Sequence, residues 1–333
     1  MSDIERFLMR KTASLASFDD IHVKNNDFLA ESLDGLGQAQ KTLSCKYFYD
    51  ERGSDLFRQI CELPEYYPTR IETALLMDCA DAISAAIGPR CRLIEYGTGS
   101  SEKMRILLDA LELPSAFISV DISREHLLQT TSALARDYPE VEVHAVCADF
   151  TKSFVVPHST KTLVGKTIAF FPGSSLGNFH RREAIEFLMN VANVVGQNGG
   201  LVIGIDLKKD VNILNAAYRD SAGVTAAFNL NLLVRINNEL GGTFDVDTFK
   251  HHAFYNEEKG RIEMHIVSLK EQKVSIGDKE IHFRDGETIH TENSYKYDID
   301  EFQDLASEAG FISAQVWRDP NHLFSVHYFE TAN

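Results

Sequence analysis

The sequence predicts an α/β fold: a doubly wound, mostly parallel sheet interrupted by an inserted α+β domain. Apolar, β-branched segments alternate with helix-patterned segments from Cys91 to Asp206, which is how a parallel sheet covered on both faces is written. The alternation then stops, and residues 251–294 read as antiparallel strands with polar turns at Glu257–Gly260, Gly277–Asp278 and Asp285–Gly286. A helix and two strands close the chain, which suits an antiparallel hairpin at the edge of the sheet.

Taken in order, the first stretch, to about Ala39, spaces Ile21, Phe28, Leu29 and Leu33 helically. The block from Lys46 to Phe57 leads into Leu63-Pro-Glu-Tyr-Tyr-Pro68, where two prolines bracket a tyrosine pair and constrain a loop. Thr69-Arg-Ile-Glu72 has the form of a capping box and opens a helix that Gly88-Pro89 stops. Strands are expected at 91–96, 117–121, 141–147, 167–171 and 200–206. Helices are expected between them at 101–111, at 123–137 under a Ser123 cap, and at 181–195. Residues 208–240 read as helical up to the turn Gly241-Gly242. The closing elements are a helix at 299–309 and strands at 311–317 and 322–330. The chain then divides into a sheet domain, 71–206 plus 296–333, and a substrate-binding lid, 18–70 plus 207–295, above the sheet's carboxyl edge.

Composition narrows the function. Lys plus Arg number 33 and Asp plus Glu 49, a net charge of −16, and no basic cluster offsets it. Such a chain repels phosphate backbones and anionic membrane surfaces, so neither nucleic acid nor membrane is expected as partner. A small zwitterionic or cationic ligand suits the field better. Five cysteines with no CxxC pair and no Cys/His cluster at zinc spacing read as reduced thiols in a cytoplasmic protein without a metal. His251-His252 falls on alternate faces of an expected strand and reads as structural. A monomer is expected.

Leu93-Ile-Glu-Tyr-Gly-Thr-Gly-Ser-Ser-Glu-Lys103 is a strand, a glycine turn and a helix start. Gly97 and Gly99 allow close backbone approach to a ligand at the sheet's carboxyl edge. A dinucleotide fingerprint would need a third glycine at 102, where Glu102 stands and would face a pyrophosphate. S-adenosylmethionine carries no phosphate and tolerates an acid such as Glu95 just before the turn. Asp121 ends the second strand, 26 positions after Glu95, where a carboxylate can accept both ribose hydroxyls. Asp149-Phe150 follows the third strand, where an acid can take the adenine amino group and a ring can stack on the base. The loop after the fourth strand, Phe170-Phe-Pro-Gly-Ser-Ser-Leu-Gly-Asn178, carries Asn178 to the switch-point crevice. Its amide can serve a ligand bearing both ammonium and carboxylate.

Several stretches together resemble one family: KYFYDERGSDLFRQICELPEYYPTR, EYGTGSSEKMRILLDAL, VCADF, FPGSSLGNF, YRDSAGVTAAFNLNLL, RIEMHI and TENSYKY, spanning about 46 to 297. The chain is similar to the L-histidine Nα-methyltransferases that form hercynine on the route to ergothioneine. The resemblance implies a Rossmann-like class I methyltransferase sheet and three methyl transfers from S-adenosylmethionine to the α-amino group of histidine. It implies that Gly97, Lys103, Asp121, Asp149 and Phe150 bind the cofactor. It implies that Tyr66, Asn178 and Tyr218 hold the amino acid end, with Gly173 in the same loop. Glu292 and Ser294 would grip the imidazole, Met264 would line that pocket, and Tyr49 would lie close to the amine. Pro172 and Ser175-Leu176 depart from the family's loop before Asn178. An α-amine of pKa about 8 must lose a proton before it attacks; water can take it or Tyr49 can relay it, and the sequence leaves both open. Methylation of tryptophan or a prenylated tryptophan is the nearest alternative. A nicotinamide-dependent oxidoreductase and a non-catalytic amino acid sensor are more distant ones.

Overall fold

The computed structural model describes residues 14–21, 25–99, 101–152, 154–160 and 164–332. Its eight-stranded sheet runs β1 (Ser17–Asp20), β5 (Glu142–Cys147), β4 (Ala116–Asp121), β3 (Arg92–Tyr96), β6 (Thr167–Phe171), β7 (Gly200–Asp206), β14 (Phe324–Thr331), β13 (Phe311–Arg318). The first six are parallel; β14 pairs antiparallel with β7, and β13 antiparallel with β14. β6 and β7 are buried along their whole length, as their unbroken apolar sequence requires. One face is packed by α3 (Tyr67–Ile87), α4 (Ser101–Ala110) and α5 (Arg124–Asp137) through Leu76, Ile83, Leu107 and Leu134. The other is packed by α6 (Arg181–Val195) and α9 (Ile299–Glu308) through Phe187, Leu188, Phe302 and Leu305. β3 sits between β4 and β6, so the winding reverses there and a crevice opens at their carboxyl ends.

The remaining elements share a separate core. A four-stranded sheet runs β2 (Lys41–Thr42), β12 (Thr288–Tyr295), β9 (Arg261–Ser268), β8 (Phe249–Asn256), beside the hairpin β10 (Gln272–Ile276) and β11 (Lys279–Phe283). Around it lie α1 (Asn25–Gly37), α2 (Glu51–Glu62), α7 (Val211–Ala217) and α8 (Val224–Leu240). Phe28, Leu36, Phe48 and Ile60 from the first part of the chain pack with Leu232, Ile236, Ile262 and Ile266 from the insertion. No described helix is long and apolar enough to cross a membrane.

The structure corrects four local expectations. Ser17–Asp20 is a strand, paired parallel with β5 from His144 to Cys147; four residues are too few to display a period. α3 begins at Tyr67 with Pro68 in its first turn, where a missing N–H costs nothing. Glu72 is therefore not a capping-box partner of Thr69 but a buried group with other bonds. Ser123 stands at the N-cap of α5 yet makes no side-chain cap bond; Asp121 takes its backbone N–H instead, at 2.7 Å. The expected helix 208–240 is two helices. Asp220 breaks it by accepting from Val224 N at 2.7 Å and Thr225 N at 2.8 Å, and the break leaves Tyr218 at the C-cap of α7.

Candidate functional site

The glycine turn after β3 is built as a cradle. Gly97 has φ +83°, and among the described residues a Cβ there would meet the Phe150 ring alone, at 3.8 Å. Asp121 accepts from Thr98 N and Ser123 N, both at 2.7 Å, one on each oxygen. Each oxygen keeps a lone pair for a further donor, as two vicinal hydroxyls require. Burial pushes the Asp121 carboxyl up, opposed by those two backbone N–H groups. Glu95 is sealed and bonded to Ser119 Oγ at 3.1 Å, and Ser119 in turn contacts Thr98 Oγ1 at 3.0 Å. Burial drives its carboxyl well above the usual range, against the Ser119 hydrogen bond that lowers it, and Glu95 braces the turn from beneath. Asp149 is held below the ordinary carboxylate value: burial alone would raise it, but the Thr151 hydroxyl and the Lys46 ammonium outweigh that. Lys46 lies 3.4 Å from Asp149 and brings the segment before α2 to this half of the site. Phe150 packs edge-on to Tyr96 and Phe171, with centroids 6.1 and 5.8 Å apart.

Lys103 forms a buried ion pair with Glu72. Both oxygens of Glu72 also lie 2.9 Å from Gly173 N, which donates to that carboxylate. One carboxylate thus ties the expected cofactor lysine to the loop that carries Asn178. Asn178 ends the short helical turn Ser175–Asn178, and its amide has no protein partner among the described residues. Gly177 lies so close beneath β12 that a Cβ would sit 2.8 Å from the Tyr295 carbonyl oxygen. The close approach brings the Asn178 turn against the strand that bears Glu292 and Ser294.

The expected acceptor residues converge. Glu292 and Ser294 share one face of β12, and Glu292 pairs in register with Met264 of β9. Met264 is fully buried, a wall rather than an open contact. Burial pushes the Glu292 carboxyl up to about 7, opposed by Lys296. Burial raises the Tyr49 phenol well above its usual value and the Glu292 charge raises it further, followed by smaller contributions that include Asp121. Tyr66 and Tyr218 are raised first by burial, and Glu292 contributes to each. Tyr49, Tyr66 and Glu292 nonetheless keep some accessible surface. Tyr66 and Tyr218 rings lie edge to face at 6.2 Å, and Phe57 stands 5.6 Å from Tyr49 and 6.4 Å from Tyr66.

Sequence reasoning missed Glu72, Phe57, Lys46, Lys209 and Lys296. Phe57 and Lys46 had a signal in their place in the aromatic block, and Lys296 in its place in the TENSYKY stretch; Glu72 and Lys209 had none. Asp206, at the end of β7, accepts from Tyr67 OH at 2.8 Å and pairs with Lys296 at 2.6 Å and with Lys209. The paired cations hold its carboxyl down against the opposing effect of burial.

Three further features use none of the expected site side chains. His251 bridges Asn229 and the Tyr218 carbonyl at 2.9 Å each, a structural role that fixes the end of α7. Glu263, His265 and His290 place ligand atoms within 4.8 Å of one another. Arg261 already satisfies Glu263 at 2.6 Å, and His265 takes its other oxygen at 3.2 Å. A surface groove of about 300 Å³ beside Arg181, Lys208, Tyr255 and Tyr295 includes none of the expected site side chains.

The family model and the curated relatives point to one family. The model of the family described as histidine-specific methyltransferase, SAM-dependent, matches residues 28–331. Histidine N-alpha-methyltransferase of Mycolicibacterium smegmatis is 41% identical over 292 residues, 86% of this chain and 89% of that one. Ergothioneine biosynthesis protein 1 of Neurospora crassa is 30% identical over 275 residues, 81% of this chain but 31% of that larger protein. A solved S-adenosylmethionine-dependent methyltransferase from Clostridium acetobutylicum has a TM-score of 0.48 at 10% identity, over 84% of this chain and 99% of that one.

Proposed function

Since the chain belongs to the SAM-dependent, histidine-specific methyltransferases, we propose that it methylates the α-amino group of L-histidine, in three rounds, to Nα,Nα,Nα-trimethylhistidine. The observation that carries the reading is a carboxylate and a hydroxyl, Glu292 and Ser294, on one strand face beside three tyrosines whose phenols feel the Glu292 charge. A carboxylate in a desolvated cleft is costly unless a donor meets it, and an imidazole N–H is such a donor.

S-adenosylmethionine, when bound, supplies a methyl carbon on a sulfonium. Asp121 takes the ribose hydroxyls, Asp149 the adenine amino group, and Phe150 and Gly97 pack the base and the chain beside it. Lys103, held by Glu72, would serve the amino acid end of the cofactor. Asn178, Tyr66 and Tyr218 would hold the histidine ammonium and carboxylate and so orient the amine for transfer. Tyr49 remains a phenol at neutral pH, because burial and the Glu292 charge both oppose its ionisation. It orients the amine and can pass a proton along, but it does not take one as a phenolate; water in the cleft does. Tyr49, Phe57 and Tyr66 present ring surface to the growing methylammonium, each worth roughly 0.5–2 kcal/mol. The lid, residues 18–70 plus 207–295, closes over the crevice, and the enzyme works as a monomer in the cytoplasm.

Mass spectrometry of reactions with S-adenosylmethionine and each common amino acid tests the reading. The expected result is histidine gaining three methyl groups. A product on tryptophan, or none on histidine, overturns it.

A further inference from the structure

Lys296 was in no expected site, yet it is fully buried between the two domains' residues. Its ammonium has three protons to donate. The structure provides three acceptors: Asp206 Oδ2 at 2.6 Å, Ser294 Oγ at 2.8 Å and Tyr218 OH at 3.3 Å. Tyr218 OH, already accepting from Lys296, donates its own proton to Ser294 Oγ at 2.8 Å. Ser294 Oγ therefore accepts twice, which uses both of its lone pairs. Its single proton has no protein acceptor assigned and is left for a ligand.

We propose that Lys296, anchored by Asp206, is a specificity-determining positioning residue that locks Ser294 as a hydrogen-bond donor. This rests on the reading of Glu292 and Ser294 as the clasp on the imidazole ring. A carboxylate and an obligate donor at the two ends of a ring read a neutral imidazole: Glu292 accepts from the N–H, and Ser294 donates to the bare ring nitrogen. Rings with an N–H but no acceptor nitrogen leave the Ser294 proton buried and unmet. Indole and pyrrole are such rings, so the polarity of one serine selects against tryptophan independently of pocket size.

The test is calorimetric binding, with S-adenosylhomocysteine present, of histidine, 3-(pyrrol-2-yl)alanine and 3-(pyrrol-3-yl)alanine. Each pyrrole keeps one ring N–H and replaces the other nitrogen by C–H. The unmodified protein should prefer histidine over the better pyrrole by about 5- to 150-fold, the cost of one unmet buried donor. Lys296→Met frees a lone pair on Ser294 and lets its proton turn to Tyr218, so the preference should shrink to within about threefold, as it should in Ser294→Ala. If Lys296→Met weakens all three ligands in proportion and leaves the ratio unchanged, Lys296 is only structural and the proposal falls. If the unmodified protein shows no preference, or Ser294→Ala keeps it, the clasp reading itself falls. Should Lys296→Met fail to fold, Lys296→Met with Asp206→Asn, which also removes the stranded carboxylate, is read by the same ratio.

Discussion

Replacing Glu292 by Gln should make the empty protein more stable and the enzyme worse. The side chain keeps its size and loses its charge. In the folded protein the carboxyl titrates at about 7, against an ordinary 4.5, with burial as the main cause. Below pH 4.5 the group is protonated in both folded and unfolded chains, and the substitution should be nearly neutral. Between 4.5 and 7 the unfolded chain gives up the proton first, so the native protein loses stability as pH rises. Above 7 the full penalty is present, about 3 kcal/mol at most by linkage at 1.36 kcal/mol per pH unit, less to the extent that water enters the cleft. Urea unfolding without ligands, at pH 5 and pH 8, measures it: Glu292→Gln should exceed the parent by 1–3 kcal/mol, roughly, at pH 8 and by much less at pH 5. Histidine affinity should move the other way. A neutral amide replaces a charge-assisted acceptor, costing about 1–1.5 kcal/mol, or about tenfold in Kd. Equal stability of variant and parent at both pH values would mean that Glu292 is solvated, and the account of the imidazole clasp would lose its physical basis.

Other substitutions separate the remaining roles. Tyr49→Phe should lower kcat by about tenfold while leaving the shape of the pH–rate profile unchanged, because the phenol does not ionise in the working range; loss of a titration limb would make Tyr49 the base. Phe57→Leu should slow the last methyl transfer more than the first, by about 2- to 30-fold, read as accumulated mono- and dimethylhistidine; an unchanged product ratio would remove Phe57 from the cage. Asp121→Asn should weaken S-adenosylhomocysteine by about 1–3 kcal/mol with histidine binding intact in its presence, checked by calorimetry. Glu72→Ala should destabilise the fold by about 3–5 kcal/mol, since Lys103 is left buried without its partner, measured by urea unfolding.

The doubly wound sheet was legible in the amino-acid order because both of its causes are local. Strands such as Thr167–Phe171 and Gly200–Asp206 carry unbroken apolar centres, and the turns between elements carry their own Gly, Asp and Pro. Residues at strand ends were legible for the same reason: Gly97, Asp121 and Asp149 stand where strand geometry must deliver them to the carboxyl edge. The short motifs also pointed to Tyr49, Asn178, Glu292 and Ser294 by resemblance. What no window of sequence contains is pairing across it. Glu72 reads as a helix cap until Lys103 and Gly173 are beside it, 31 and 101 positions away. The helix break at Asp220 and the strand Ser17–Asp20 are too short to show a period. Lys296 looks like a strand-end surface charge until Asp206, Ser294 and Tyr218 occupy its three protons. The sequence alone determined the sheet and the family, and it placed the candidate cofactor residues at the sheet's carboxyl edge. Tertiary structure decided which buried charges are paired, which carboxyls burial pushes up and which way each hydrogen bond points, because desolvation and partner geometry exist only once distant segments are packed together.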